Sequence, residues 1–179
     1  MDYKQQYELV KGEIARPLSN HEIDAWLRKN GILCNFYAYD KLNDKMKLYD
    51  LFSRDGCVII LYNISEQNTG HWCCLIWHNK NTVEFFDSYA SKLDANLKYS
   101  KSTFPTITAI LKKNKVENVV FNNMRFQRMN NAISTCGRHC AFRVLMKGLS
   151  LEEYQQGFLK SEFSPKLYDY YIYLLTSDI

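Results

Sequence analysis

Two apolar runs joined by a short polar turn place the strongest constraint on the fold of this chain. They cover residues 72–77 and 83–87, and residues 78–81 between them are polar. This arrangement is typical of a β-hairpin. A third run, residues 58–62, is rich in β-branched side chains and apolar throughout, which favours a strand buried on both faces. The sequence therefore predicts a central sheet built around an antiparallel hairpin.

Helical patterns precede and follow these strands. Two capping boxes, Ser19 with Glu22 and Ser150 with Glu153, indicate helix N-termini. Apolar positions at helical spacing predict another helix over residues 136–147. This order of elements predicts the α+β class, and the chain length suits a single domain spanning residues 1–179.

The positive charge of the chain is concentrated in one stretch. Residues 98–147, which we call the basic block, carry ten Lys or Arg and one acidic residue, Glu117, whereas the whole chain has a net charge of +4. A block of this kind either forms a solvated face or attracts polyanions such as nucleic acid. No nucleic-acid-binding motif accompanies it.

Several classes of protein are disfavoured by composition. The apolar runs are too short to span a bilayer, and the first six residues contain no apolar stretch typical of a secretory signal. Six cysteines, two of them adjacent at Cys73 and Cys74, do not form a disulfide framework. Together with His139-Cys140 they also lack the paired spacing of zinc sites, so we predict no metal. We expect an intracellular, reducing environment and no membrane contact.

Cys136 is the candidate nucleophile. It lies directly before the predicted helix, where the positive end of the helix dipole lowers a thiol pKa and favours the thiolate. The exposed N–H groups of a first helical turn can stabilise an oxyanion. Gly137 has no side chain, so we expect a substrate to approach the backbone there. On its own, Cys-Gly is more typical of a buried helix cysteine, because free cysteines are mostly small core residues.

A cysteine nucleophile needs a base and a group that orients the base. His71 begins a predicted strand after a loop and is the best candidate base, because His139 would point along the helix surface and His78 lies in the turn. Asp87 is its candidate partner. A three-residue loop would place Asp87 directly opposite His71, and a bulge would also keep the two on one face. Glu84 is the competing acid but lies near the turn.

A neutral hydrogen-bond donor would complete the site. Gln127 precedes Cys136 through a polar loop and could stabilise an oxyanion. Spacing alone does not favour it over four nearby asparagines, which are Asn122, Asn123, Asn130 and Asn131.

The motifs resemble those of a known family when they are taken in chain order. Gly-His-Trp at 70–72, Phe-Phe-Asp-Ser at 85–88, Gln127 and Thr-Cys-Gly at 135–137 resemble the adenovirus-protease-like cysteine peptidases, which include the SUMO-specific proteases. The similarity runs from about residue 58 to residue 145. The form Ser-Thr-Cys-Gly-Arg-His-Cys is most similar to the capsid-maturation proteases of virophages and large DNA viruses.

The resemblance implies an adenain-like fold, with a central mixed sheet flanked by helices and the nucleophile at a helix N-terminus. It implies His71 as general base, Asp87 as its orienter and Cys136 as nucleophile. Gln127 and the backbone N–H of Cys136 would form the oxyanion hole, and Trp72 would pack beside it. Cys136 follows Gln127 by nine positions, about two more than is usual in the better-known relatives.

The implied function is a viral-type cysteine endopeptidase that processes capsid or core precursor proteins at glycine-containing sites. It would need no cofactor, although DNA stimulates adenovirus relatives and could act here through the basic block. We expect a monomer in the host cytoplasm, at the viral factory, and in the virion.

Three other functions stay open. The same triad serves SUMO-specific isopeptidases and deubiquitinases, and some bacterial acetyltransferases have a similar triad. A protein of a different class, a non-enzymatic DNA-binding virion protein built on the basic block, would ignore thiol-directed probes and show a steep salt dependence of DNA binding.

Overall fold

The chain, seen here as a computed structural model, forms α-helices and β-strands over residues 3–64 and 70–179, which are the residues that the structure describes. The helices are α1 (Tyr3–Ala15), α2 (Asn20–Lys29), α3 (Leu48–Leu51), α4 (Thr106–Lys113), α5 (Cys136–Leu145), α6 (Leu151–Leu159) and α7 (Tyr168–Leu175). The strands are β1 (Asn35–Ala38), β2 (Cys57–Asn63), β3 (Gly70–Asn79), β4 (Thr82–Phe86) and β5 (Asn118–Phe121). Within the described ranges, no helix has both the length and the apolar character needed to cross a bilayer.

The five strands form one mixed sheet in the order β1-β2-β3-β4-β5. The central pairs β2–β3 and β3–β4 are antiparallel, and the outer pairs β1–β2 and β4–β5 are parallel. The predicted α+β class, with a central mixed sheet flanked by helices, is therefore confirmed. The predicted nucleophile helix also begins where expected, at Cys136.

Apolar side chains cover both faces of the sheet, and every residue of β2 is buried. Alternate side chains along a strand point to opposite faces, so a strand between two covered faces must be apolar throughout. One core lies between the sheet and helices α1, α2, α5, α6 and α7 and includes Ile59, Leu61, Cys74, Ala141 and Ile172. The other lies on the opposite face against α3 and α4 and includes Val58, Ile60, Leu75, Ile107 and Ile110.

The β3–β4 hairpin contains a bulge, not a three-residue loop. Trp77 pairs with Val83, but Asn79 pairs with Thr82, so His78 is an extra residue that forms a bulge. A two-residue turn then connects the strands. A bulge shifts the register by one residue and changes which side chains share a face.

The bulge has a direct consequence for the predicted site. Cys74 pairs with Phe86, so Cys73 lies level with Asp87 at the end of the hairpin. His71 is two residues before Cys73 and therefore points to the same face as Asp87. The prediction left two arrangements open, an odd-length loop or a bulge, and the structure has the bulge, which produces the shared face.

Gly70 allows β3 to begin against β2. It pairs with Asn63, and a Cβ at Gly70 would lie 2.0 Å from the carbonyl oxygen of Tyr62. Real Cβ atoms do not approach a backbone oxygen so closely, so any side chain here would separate the two strands. The glycine before His71 is therefore required by strand pairing.

The predicted capping boxes are confirmed at both helices. Ser19 accepts a hydrogen bond from the N–H of Glu22, whose carboxylate accepts from Ser19, and Ser150 with Glu153 forms the same arrangement. Helix α1 was not predicted, because it has no strong apolar stripe and buries only Ile14 among its residues.

A buried ion pair joins the sheet to helix α5. Arg143 in α5 donates two hydrogen bonds to Glu84 in β4, at 2.7 and 2.9 Å, and both side chains are fully buried. Arg143 also donates to the carbonyl oxygens of Met146 and Leu149. Arg138 is buried as well, so the basic block is not wholly the exposed face that one of its interpretations assumed.

We expect Arg143→Met to lower the free energy of unfolding by about 3–5 kcal/mol, because it leaves the Glu84 carboxylate buried without its cation. The combined Glu84→Leu, Arg143→Met variant should recover part of that loss, since it removes both charges. Urea denaturation followed by circular dichroism measures each value. Lys11→Met, which removes one partner of an exposed pair with Glu8, is the control and should change little. An Arg143→Met variant as stable as the wild type would contradict a stabilising role of the ion pair.

Candidate active site

Asp87 and His71 form a short hydrogen bond at one end of the sheet. The distance from His71 Nε2 to Asp87 Oδ1 is 2.7 Å, and Asp87 is fully buried. The backbone N–H of Tyr89 also donates to Oδ1, at 2.8 Å, and the Asn96 amide donates to Oδ2 at 2.8 Å. Three donors therefore hold the carboxylate in one orientation.

Two further residues fix this pair in place. The ring of Tyr89 stacks on the imidazole of His71, with centroids 4.6 Å apart. The side-chain amide of Asn122 accepts from the backbone N–H of Asp87 and donates to its carbonyl oxygen, at 3.0 and 2.7 Å. Sequence reasoning gave no role to Tyr89 or Asn96, and it considered Asn122 only as an alternative to Gln127.

Cys136 reaches the other side of the imidazole from the first turn of α5. Its thiol is close enough to the His71 side chain and to the backbone N–H groups of Trp72 and Gly137 for each of them to lower its pKa. Because Nε2 of His71 faces Asp87, Nδ1 is the ring nitrogen available to the sulfur. The structure thus brings together the three predicted residues in the row Asp87, His71 and Cys136.

The row favours a thiolate beside an imidazolium. Burial by itself raises the pKa of Cys136, but the contact with His71 and the two N–H donors outweigh burial and lower it. Burial by itself lowers the pKa of His71, but its contacts with Cys73, Asp87 and Cys136 outweigh burial and raise it well above the usual value. The pKa of Asp87 is lowered despite burial, chiefly by its bond with His71, so the carboxylate stays ionised.

Gln127 lies beside the same cleft and is almost fully buried. The hydroxyl of Ser88 donates to its Oε1 at 2.8 Å, and its Nε2 donates to the carbonyl oxygen of Ile133 at 3.4 Å. Ser88 therefore identifies Oε1 as the acceptor and leaves the NH₂ group as the donor on the other side. The backbone N–H of Gln127 donates to the Ser88 carbonyl as well, at 3.0 Å. Sequence reasoning quoted Ser88 as part of a motif but gave it no role.

A cavity of about 780 Å³ opens in front of these groups. Three basic side chains, those of His71, Lys98 and Arg125, and no acidic side chain belong to the part of its wall that the structure describes. The rest of this wall combines polar side chains with apolar ones, and the apolar residues Met129 and Ile64 are largely exposed. The lining includes His71, Trp72, Gln127, Cys136, Tyr89, Asn96, Lys98, Arg125, Met129 and Ile64.

Gly137 serves packing rather than the substrate approach that the sequence suggested. A Cβ at Gly137 would lie 3.1 to 3.3 Å from side-chain atoms of Ile23, Trp72 and Leu18, and Gly137 is not part of the cleft wall. Trp72 packs against α5 here, and its indole N–H donates to the carbonyl oxygen of Leu18 at 3.0 Å. The N–H of Gly137 still faces the sulfur, so only its backbone belongs to the site.

The other candidates for base and acid lie elsewhere. His139 is fully buried and does not point along the helix surface as expected, and its ring lies 3.8 Å from Asp169. His78 bonds Glu84 at 2.8 Å, away from the cleft. His71, Cys73 and Asp87 have possible metal-ligand atoms within 4.8 Å of one another, but hydrogen bonds already occupy Nε2 and both carboxylate oxygens.

We expect iodoacetamide to alkylate Cys136 at neutral pH, with an inflection in the rate below that of an ordinary thiol, about 8.5. His71→Ala should move the inflection to higher pH and slow the reaction at pH 7 roughly tenfold or more, because burial then acts on the thiol without its cationic partner. Peptide mapping by mass spectrometry identifies the modified residue. Cys140, whose pKa burial raises, should stay unmodified. An unchanged profile in His71→Ala would contradict the ion pair.

No model of a known protein family matches the chain. Among solved structures, it is similar to the crystal structure of the ASFV pS273R protease, with a TM-score of 0.48 and 14% identity, covering 88% of this chain and 67% of that one. It is 32% identical over 130 residues to the uncharacterized protein V9 of Sputnik virophage, covering 68% of this chain and 70% of V9. The predicted relationship to virophage proteins is confirmed by that match, and the chain belongs to the same protein family as V9 of Sputnik virophage.

Proposed function

We propose that this protein is a cysteine endopeptidase. The observation that carries the proposal is the hydrogen bond between Asp87 and His71 beside the thiol of Cys136, at a cleft that His71, Cys136 and Gln127 all line. A buried cysteine of purely structural function needs neither an imidazole partner nor a carboxylate behind that partner. The fully buried Asp87, held by three donors, supplies the fixed orientation that a general base requires.

The proposed reaction is acyl transfer to water. The Cys136 thiolate attacks the carbonyl carbon of the scissile peptide bond, and the oxyanion is stabilised by the Gln127 NH₂ group and the backbone N–H of Cys136. Protonated His71 gives its proton to the leaving amine, which departs and leaves a thioester on Cys136. Neutral His71 then removes a proton from water, and this activated water attacks the thioester carbonyl carbon. Cys136 leaves as the thiolate, which restores the thiolate–imidazolium pair.

We further propose that the substrates are capsid or core precursor proteins with glycine near the scissile bond, as the family resemblance implies. The similarity to a virophage protein supports a viral setting, in which the enzyme would act as a monomer in the viral factory and virion. Stimulation by DNA is also proposed. Its support is the part of the basic block that lies at the surface, which includes Lys112, Lys115 and Arg125.

Cys136→Ala should reduce cleavage of a glycine-containing precursor by more than about 10³-fold without changing the fold, because no other cysteine belongs to the described wall of the cleft. The measurement is incubation with candidate capsid and core proteins, followed by N-terminal sequencing of the products. Cys140→Ala changes a buried cysteine one turn further along α5 and is the matched control that should keep its activity.

Retained cleavage by Cys136→Ala would refute the assignment of the nucleophile. Products other than new N-termini would identify a different acyl-transfer reaction: acetylated lysine or serine would indicate an acetyltransferase. Covalent capture by a ubiquitin-family or SUMO vinyl sulfone would indicate an isopeptidase instead.

A further inference from the structure

One carboxylate holds both ends of the segment that joins Gln127 to Cys136. The segment consists of residues 128–135, and its first and last residues both donate hydrogen bonds to Asp169 in α7. The hydroxyl of Thr135 lies 2.6 Å from Oδ1 of Asp169, and the backbone N–H of Arg128 donates to Oδ2 at 3.2 Å. The Nε of Arg128 adds a contact with Oδ2 at 3.3 Å.

The surroundings of Asp169 keep it ionised and fixed. It is fully buried, and burial by itself raises its pKa, but contacts that include His139, Thr135 and Arg128 outweigh burial and lower it. An ionised carboxylate can accept from both ends of the segment at once, whereas a protonated one would have to donate from one oxygen. Such charge-assisted bonds are stronger away from water.

The side chain of Thr135 contacts Asp169 instead of capping helix α5. It occupies the N-cap position of α5, where a threonine hydroxyl normally accepts a hydrogen bond from a first-turn N–H. Here the side chain makes no capping bond, and the backbone angles, φ −92° and ψ 1°, lie outside the extended region of typical caps. The hydroxyl donates to Asp169 instead. The first-turn N–H groups are therefore not taken up by Thr135, and that of Gly137 faces the Cys136 sulfur.

Other bonds shape the inside of the segment. The N–H of Ile133 donates to the Asn130 carbonyl, and the N–H of Ser134 donates to the carbonyl of Ile14 in α1. These contacts do not connect residue 128 with residue 135. Among the contacts of the described residues, Asp169 makes that connection.

We propose that Asp169 is a positioning residue that sets the placement of the Gln127 amide relative to the Cys136 sulfur. The inference rests on the proposed peptidase function, since it assigns Gln127 to the oxyanion hole. Asp169 does not line the cleft and acts through Arg128 and Thr135. One side chain from α7 thereby aligns two groups that approach the substrate from different elements.

Hydrogen exchange tests this positioning without any substrate. Asp169→Asn keeps the shape of the side chain. It replaces one of the two accepting oxygens by an NH₂ group, which cannot accept a hydrogen bond from Thr135 or Arg128. We expect faster amide exchange confined to residues 127–137, with exchange in β2 and β3 unchanged. Asp178→Asn is the matched control, because Asp178 follows α7 but bonds Trp26 and Lys29 instead. Exchange in residues 127–137 equal to that of the wild type would overturn the proposal.

Kinetic coupling with Gln127 distinguishes positioning from general stability. Asp169→Asn should lower kcat about 10²–10³-fold with little change in KM, as expected for loss of one oxyanion donor. In a Gln127→Ala background it should cause almost no further loss, because the donor it positions is already absent. If the double variant instead loses kcat by the product of the two single losses, Asp169 has a merely structural role and the proposal is overturned. Thr135→Val, which removes one of the same bonds and leaves the charge, provides the same test if Asp169→Asn does not fold.

The two proposals fail in different ways. A wild-type protein that cleaves no precursor refutes the peptidase function, while hydrogen exchange still decides the role of Asp169. A wild type that cleaves, with Asp169→Asn and Thr135→Val variants that cleave equally fast, refutes the role of Asp169 and leaves the peptidase function standing.

Discussion

The hydrogen bond between His71 and Asp87 is the interaction on which the rest of the site depends. A fully buried carboxylate is costly unless donors surround it, and here an imidazole, an amide and a backbone N–H do so. Burial by itself lowers the pKa of the imidazole, but contacts with Cys73, Asp87 and Cys136 raise it, and the contact with His71 lowers the pKa of the Cys136 thiol despite burial. The charge state of Cys136 therefore depends in part on a buried carboxylate on the far side of the histidine.

The architecture explains how such a row can form. His71 and Asp87 point to one face of the sheet, whereas α5, which carries Cys136, packs with Trp72 and Cys74 in the core of the opposite face. The sulfur and the imidazole therefore meet at the end of β3. Arg143 fixes the other half of α5 to β4 through Glu84, so the helix that begins at Cys136 contacts the sheet at both ends.

Much of this could be predicted from the sequence because it depends on local patterns. The apolar runs gave the three central strands, Ser19 and Ser150 gave two helix starts, and motif order gave the residues of the row. The hairpin register could not be predicted, because a bulge at His78 depends on packing against neighbouring strands rather than on turn residues.

The residues that support the site were missed for a different reason. Ser88, Asn96 and Asp169 are polar, and nothing local reveals whether a polar side chain is buried against a partner. Ser88 bonds Gln127 across 39 positions, and Asp169 bonds Thr135 across 34. Arg138 and Arg143 were counted as surface charge for the same reason. Only the fold shows that both are buried.

Packing alone explains the two motif glycines, Gly70 and Gly137. Gly70 is demanded by a neighbouring carbonyl oxygen and Gly137 by three apolar side chains, so neither requirement involves a reacting atom. A descendant that lost its sulfur would still need both glycines to keep its shape. Such a pseudoenzyme would retain much of the signature while being inert, and only the residues at positions 71, 87 and 136 would reveal it.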